Sequence, residues 1–355
     1  MVQSRKIGVL TFHRCINYGS YWQARCLVEG VRAPGVEAVL LDHRSRRVNR
    51  AEWKCALSPL LPAKSSAADQ RAYAAKTRKF FASFADLPLS PAFNLEDPSA
   101  MTDVDVAVVG SDEVWNLRHP WYAGYPAFFG DGLKSERVVA YAASFGNHDA
   151  SASLGACWAE KLRRFSAIGV RDENSRRLVR GALQVDPALV LDPCLLFQET
   201  CRREAATDPG RIVVYGHSFD AWFAGAVRAW ADRAGARLVS VGYRNDWADE
   251  QWLDAGPEEF AGAMGAAGGV VTNFFHGCVF ALANDKPFAA APSAYRANKV
   301  TALAETLGAS RHVVRDGAPP ATYDALLADP PDPAIRARID ALRRSSADYL
   351  DRAVA

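Results

Sequence analysis

No apolar run in this 355-residue chain approaches the length of a bilayer span. Val104 to Val109 is typical, whereas a membrane helix needs roughly 20 such residues. No transmembrane segment is therefore expected, although contact with a membrane surface stays open. Charge of one sign is also lacking: 42 Lys+Arg against 40 Asp+Glu give a formal +2. A chain this balanced offers no basic field for indiscriminate nucleic-acid binding, so nucleic acid is not expected as a partner. The seven cysteines, Cys15, Cys26, Cys55, Cys157, Cys194, Cys201 and Cys278, are odd in number, scattered, and without a C-x-x-C pair. They spell neither a disulfide framework nor a zinc site, no metal is assigned, and reduced thiols in a cytoplasm fit best. The stretch from Met1 to Phe12 contains no long h-region or cleavage signal, so no signal peptide is expected there. G-x-G-x-x-G is missing, and with it support for a nicotinamide cofactor. Internal repeats and low-complexity tracts are absent too.

What is present is a 49% apolar composition, enough for two cores in a chain longer than one core usually sustains. Ile7 to Phe12 reads as a strand, the polar residues through Asn17-Tyr18-Gly19-Ser20 as a loop, Tyr21 to Val31 as a helix and Val36 to Leu41 as a second strand. This is a βαβ unit with a right-handed crossover, and a parallel sheet begins. Residues 44–90, with Arg44, Arg46, Arg47 and Arg50 and the Ala-rich segment Asp69 to Phe84, read as helices inserted over one edge. Val104 to Val109, Arg137 to Ala143 and Ala167 to Val170 are further strands. Each ends in small or polar residues, Gly110-Ser111-Asp112, Ser144-Phe145-Gly146 and Arg171-Asp172, whose positions should line one crevice. A second set follows Asp192-Pro193: strands at Ile212 to His217, Arg237 to Gly242 and around Val270, with helices at Ala221 to Ala234 and Pro257 to Ala267. Pro319 to Pro333 reads as a loop and Ala334 to Ala353 as a closing helix. The expected class is α/β with two Rossmann-like halves joined near residues 192–211 and a cleft between them.

His276 stands where the Val270 strand ends and a helix begins. Amides and the positive dipole end of a helix receive anions there, and imidazole titrates near neutral pH. A cap for the helix is the competing use. Arg171, at a strand end, has the planar fork that binds carboxylate or phosphate, and equally suits a salt bridge with Asp172 or Glu173. Asn17-Tyr18-Gly19 combines an amide for a hydroxyl or phosphate with a glycine that lets backbone approach a ligand; a plain turn explains it as well. Ser111 and Asp112 share the next strand end, where Asp112 could take a proton from a hydroxyl or cap a following helix. Trp115, Trp121 and Tyr122 could stack on a sugar or fill the core. His13 is a second acid/base candidate, and Arg296 and Lys299 add positive charge or form a helix surface.

Four motifs in order, Thr11-Phe12 with Asn17-Tyr18-Gly19, Gly110-Ser111-Asp112-Glu113-Val114-Trp115-Asn116, Ala142-Ala143-Ser144-Phe145-Gly146, and Phe275-His276-Gly277 with Lys286-Pro287-Phe288, resemble the bacterial polysaccharide pyruvyl transferase family. With Val170-Arg171-Asp172 and Leu191-Asp192-Pro193 the likeness spans roughly residues 6–310. It implies two Rossmann-like domains in a GT-B-like arrangement with an interdomain cleft. Residues 1–195 would form the acceptor side and 196–330 the donor side, with 331–355 as the closing helix. It also implies transfer of a pyruvyl group from phosphoenolpyruvate to a saccharide or lipid-linked saccharide, forming a cyclic ketal. Phosphoenolpyruvate is then a co-substrate, with no further cofactor. His276, Arg171 and Asp112 become the catalytic candidates, and Asn17, Tyr18, Gly19, Ser111, Ser144, Asn273, Gly277, Arg296 and Lys299 the binding ones. The chain departs from the family pattern at Asn273, where an aspartate is frequent, and at Phe274, where the family often has a serine or arginine. Two rivals stay open: a GT-B-type glycosyltransferase using a nucleotide sugar in the same two-domain frame, and a non-catalytic glycan-binding protein, which Phe274 keeps in play.

Overall fold

A computed structural model describes residues 5–59 and 65–355. Residues 1–4 of the expected leader-free amino end and 60–64 of the expected helical insertion lie outside the described residues. In chain order the strands are β1 Arg5–Leu10, β2 Val36–Leu40, β3 His43–Arg44, β4 Phe93–Asn94, β5 Val104–Val109, β6 Ser135–Ala143, β7 Ala167–Val170, β8 Ala188–Leu189, β9 Asp208–Tyr215, β10 Arg237–Val241, β11 Glu250–Trp252, β12 Ala267–Thr272 and β13 Phe288–Ala290. The helices are α1 Tyr18–Gly30, α2 Arg46–Leu57, α3 Ala67–Ala85, α4 Ala156–Leu162, α5 Glu173–Leu183, α6 Pro193–Leu196, α7 Gln198–Cys201, α8 Ala221–Ala234, α9 Pro257–Ala266, α10 Phe275–Ala283, α11 Ala294–Leu307, α12 Pro320–Leu327 and α13 Pro333–Val354. Among the described residues, no helix is long and apolar enough to cross a membrane.

The chain divides into two compact units, one of residues 1–52, 86–200 and 340–355, the other of 53–85 and 201–339. In the first, six parallel strands run in the order β2-β1-β5-β6-β7-β8. Its central strands are covered on both faces, which is why they read as continuous apolar runs rather than alternating ones: Val106, Ala107, Val108 and Val109 are all fully buried. Leu10, Phe12, Trp115, Phe128, Phe145 and Leu162 close one side of that sheet. The second unit holds five parallel strands in the order β11-β10-β9-β12-β13. Ile212, Val214, Phe223, Trp230 and Tyr323 form part of its core. In each sheet the order reverses between two neighbours, β1 and β5 in one, β9 and β12 in the other.

Several expectations need correction. The helical insertion does not stay with the first sheet: α3 groups with the second unit, where Asp69 holds Arg244 through bonds of 2.8 and 2.6 Å. The last helix does not stand apart, because residues 340–355 group with the first unit. Ser346 Oγ accepts from Leu191 N at 2.9 Å, and Tyr349 Oη donates to the Ala140 carbonyl at 2.8 Å. The proline-rich stretch 319–333 is not all loop, since α12 starts there with Pro320 in its first turn, where a missing N–H costs nothing. Tyr323, Leu326 and Leu327 give that helix its buried face. The cysteines, scattered in sequence, are not all scattered in space: within the first unit the Cys26 and Cys194 thiols lie within 4.8 Å of each other.

Gly110 ends β5 with φ +117°, and a Cβ there would sit 2.2 Å from the Tyr141 carbonyl oxygen. Neither the dihedral nor the neighbouring backbone tolerates a side chain. Gly110→Ala is expected to destabilise the protein by about 1–3 kcal/mol, read as a lower urea midpoint. An unchanged midpoint would show that the β5–β6 edge relaxes freely.

Candidate active site

In the first unit the reversal between β1 and β5 brings their carboxyl ends together over the start of α1. Asn17 caps α1, its side chain accepting from Ser20 N. Gln23, one turn into the helix, ties both strand ends: its Nε2 donates to Thr11 Oγ1 at 3.0 Å, and Ser111 Oγ donates to its Oε1 at 2.6 Å. Thr11 Oγ1 in turn donates to the Ser111 carbonyl at 3.0 Å. Ser20 Oγ donates to Asp112 at 2.9 Å. Arg171, at the end of β7, is wholly interior and lies between Asp112 and Asp192, at 3.2 Å from each. Burial works against its charge, and Asp112, Asp192, Asp172 and Glu113 outweigh burial and raise its proton affinity. Ser144 donates to Asp172 at 2.6 Å, and Asp172 caps α5 by accepting from Ser175 N.

This placement revises several candidates. Arg171 has its fork engaged by two aspartates, neither of them the sequence neighbour expected, so it braces strand ends rather than presenting itself to an anion. Asp112 caps no helix, because turns follow it; it has φ 70° and gathers Ser20, Glu113 N and Arg171 instead. Tyr18, Ser111 and Ser144 are fully buried, so they shape backbone rather than offer side chains to a ligand. Gly19 lies in the first turn of α1 and not in a loop, since Asn17 starts the helix earlier than the apolar pattern suggests. His13 is interior, held between the Thr11 carbonyl and Asp42 at 3.2 and 3.1 Å. His43 beside it is pushed down to about 3 by burial and by His13. Asn17 remains half-buried, as does Trp121, whereas Trp115 and Tyr122 are core.

The second reversal, between β9 and β12, carries the other cluster. β12 ends at Thr272, whose Oγ1 donates to the Tyr215 carbonyl at 2.6 Å and accepts from Phe274 N at 3.0 Å. That turn starts α10, placing Phe275, His276 and Gly277 in its first turn. Gly277 is demanded by packing, for a Cβ would meet Thr272 Oγ1 at 2.0 Å. Asn273 Nδ2 donates to the His217 carbonyl at 2.8 Å, and its buried Oδ1 has no donor among the described residues. Phe274 does not leave the site without a guanidinium: Arg296, from α11, stacks over its ring at 4.4 Å. Lys299 follows one turn later on the same helix. Phe274 also packs edge-on against His217 and Tyr243, at 5.3 and 5.4 Å between centroids.

Two residues of this cluster have no local sequence signal. His217, just past β9, is pushed down to about 4 by burial and then by Arg296 and Lys76, so it is neutral at pH 7. Lys76 reaches in from α3, donates to the Gly242 carbonyl at 2.8 Å and sits 4.4 Å from the Tyr243 ring centre. Burial alone pushes it down to about 7. A guanidinium, an amine titrating near neutrality, a histidine in the first turn of α10 and the amino end of that helix together suit a small polyanion. The 590 Å³ depression lined by Leu57, Ser58, Ala67, Gln70, Arg71 and Ala74 contains none of these groups.

Two doubly wound parallel sheets with polar clusters at their reversals define an α/β protein of the GT-B fold class. A UDP-N-acetylglucosamine 2-epimerase matches with TM-score 0.51 and 11% identity over 99% of this chain and 96% of that one. The UDP-GlcNAc 2-epimerase of Neisseria meningitidis matches with 0.48 and 8% over 98% and 100%. The glycosyltransferase SnogD of Streptomyces nogalater matches with 0.38 and 13% over 98% and 96%. At 11% identity the first of these likenesses shows the fold alone, and no curated protein matches the chain significantly. The polysaccharide pyruvyl transferase family model covers residues 17–292, and the chain belongs to that family.

Because Arg171 neutralises two interior carboxylates, Arg171→Gln should lower stability by about 3–5 kcal/mol. A variant of normal stability with only a raised donor KM would restore Arg171 to the binding role. Lys76 gives a pH signature. An unfolded lysine keeps its proton to about 10.5, whereas folded Lys76 releases it near 7. Between those values the folded state binds fewer protons, so this residue makes stability rise with pH. Urea midpoints from pH 7 to 9 should climb less steeply in Lys76→Met, and equal slopes would mean that Lys76 stays charged.

Proposed function

We propose that the protein transfers a pyruvyl group from phosphoenolpyruvate to two hydroxyls of a saccharide, free or lipid-linked, forming a cyclic ketal and releasing phosphate. The observation that supports this most is Arg296 stacked on Phe274 beside the first turn of α10. Family members often carry an arginine at position 274, and here a guanidinium reaches the same place from another helix. Cation–π contact fixes its plane, and a fixed fork is what a phosphate or carboxylate binds best. The amino end of α10 and Lys299 add positive potential.

His276 protonates C3 of phosphoenolpyruvate, which leaves C2 electrophilic. A first acceptor hydroxyl forms a bond to C2 and gives up its proton. The C2–O bond to phosphate then breaks while the second hydroxyl bonds to C2, its proton returning to His276. Of the two acceptor protons, one ends on C3 and the other on phosphate, so the histidine is restored. Arg171 and Asp112 enter as positioning residues that hold the ends of β5 and β7. The reaction needs only phosphoenolpyruvate as co-substrate, and would run in the cytoplasm, where that donor is made.

Phosphate release tests this in the presence of phosphoenolpyruvate and a panel of saccharides. His276→Ala should fold and bind donor yet lose roughly 10² to 10⁴ in rate. Arg296→Gln should weaken donor binding roughly ten- to hundred-fold, the scale of a charged hydrogen bond. Full turnover by a folded His276→Ala variant removes the histidine from the mechanism, and release of a nucleoside diphosphate from sugar nucleotides, with no phosphate from phosphoenolpyruvate, assigns the protein to glycosyl transfer.

A further inference from the structure

The loop after β1 meets a carboxylate that no cation pairs with among the described residues. Glu52, in α2, accepts from Trp121 Nε1 at 2.9 Å and from the Ile16 backbone N–H at 3.3 Å. The Cys15 thiol lies against it, with Cys15 Sγ also 3.6 Å from Tyr122 Oη. All of these partners are neutral. The nearby arginines are tied elsewhere, Arg14 to Asp42 at 2.5 and 2.8 Å and Arg47 to Tyr125 Oη at 3.2 Å. Burial therefore raises the Glu52 carboxyl above its ordinary range, with the hydrogen bonds from Cys15, Trp121 and Ile16 opposing.

The surroundings are built and half open. His119 Nδ1 accepts from Trp121 N and Tyr122 N, at 3.4 and 3.1 Å, so the loop carrying the indole is fixed. Tyr122 stacks on Phe12 at 3.9 Å and anchors that loop to the end of β1. Cys15 and Tyr122 are buried, while Glu52, Trp121 and Asn17 keep partial exposure. Asn17 caps α1 through its Oδ1, and its Nδ2 has no acceptor among the described residues. A carboxylate has about four acceptor positions, and those filled here leave capacity for another donor.

We propose that Glu52, Trp121 and Asn17 form a saccharide-binding subsite of the first unit, in which the Glu52 carboxylate accepts a hydrogen bond from a sugar hydroxyl and Asn17 Nδ2 donates one. The partly exposed indole supplies the flat apolar surface that the C–H face of a pyranose packs against. A carboxylate satisfied only by neutral donors suits a hydroxyl better than a cation would, because a hydroxyl brings the missing donor without a second charge to desolvate. This subsite rests on the pyruvyl transferase reading only for the role of its ligand as acceptor.

Saturation-transfer NMR with methyl glycosides of glucose, galactose, mannose and N-acetylglucosamine reads the subsite directly, at about 10 mM so that millimolar affinity is visible. At least one glycoside should bind wild type. Glu52→Gln keeps the volume and one acceptor oxygen, enough for Trp121 or Ile16 but not both, so the urea midpoint of the variant is measured beside its binding to separate a binding role from a structural one. It should weaken that glycoside roughly ten- to hundred-fold, and Trp121→Ala should weaken it too. Phosphoenolpyruvate affinity, measured by calorimetry on the same samples, should be unchanged. Glycoside binding that survives Glu52→Gln, or no glycoside binding to wild type, overturns the subsite. Loss of phosphoenolpyruvate binding by wild type with glycoside binding intact overturns the donor reading and leaves the subsite standing.

Discussion

Parallel strands joined by helices must send those helices to one face or the other, and the order of a sheet reverses where the direction of winding changes. At that reversal adjacent helices diverge, and the carboxyl ends of two neighbouring strands lie uncovered. The two units of this protein each have one such point, at β1/β5 and β9/β12. The polar residues argued above to matter gather there because nowhere else in a doubly covered sheet can they reach water or a ligand. The first reversal is knitted by Thr11, Gln23, Ser111, Asp112 and Arg171 into an interior network. The second is lined by Asn273, Phe274, His217 and Arg296.

The two clusters differ in what they do with charge. At β1/β5 the interior guanidinium of Arg171 is spent on two aspartates, and the half-open carboxylate is Glu52, whose partners among the described residues are neutral. At β9/β12 cationic groups dominate: Arg296 rests on an aromatic ring, and Lys76 is held so far from water that it titrates near 7. One cluster is thereby suited to hydroxyls and the other to anions. That division follows from burial and pairing, without appeal to the family.

Much of the frame was legible in the residues. β5 and α8 fall where their patterns place them, because a strand buried on both faces reads as an unbroken apolar run and α8 is closed by Gly235 in a left-handed cap. The strand-to-helix junction before His276 was legible for the same reason. What escaped was whatever depends on distant partners. Arg171 meets Asp112 and Asp192, 59 and 21 residues away in sequence, so a local reading offered it only Asp172 and Glu173. Lys76 lies on a helix that pattern alone assigned to the first sheet, and Glu52 in the same insertion, read only as helices over one edge. Phe274 read as the loss of a polar contact, because nothing in the sequence shows Arg296 lying over its ring.

The central claim is that the β9/β12 cluster holds phosphoenolpyruvate. Titration calorimetry of the full chain with phosphoenolpyruvate, repeated in the presence of UDP, tests it most directly. The account predicts binding of phosphoenolpyruvate that is weakened in Arg296→Gln and undisturbed by UDP. Binding of UDP by the folded protein, with no heat from phosphoenolpyruvate at millimolar concentration, would contradict it.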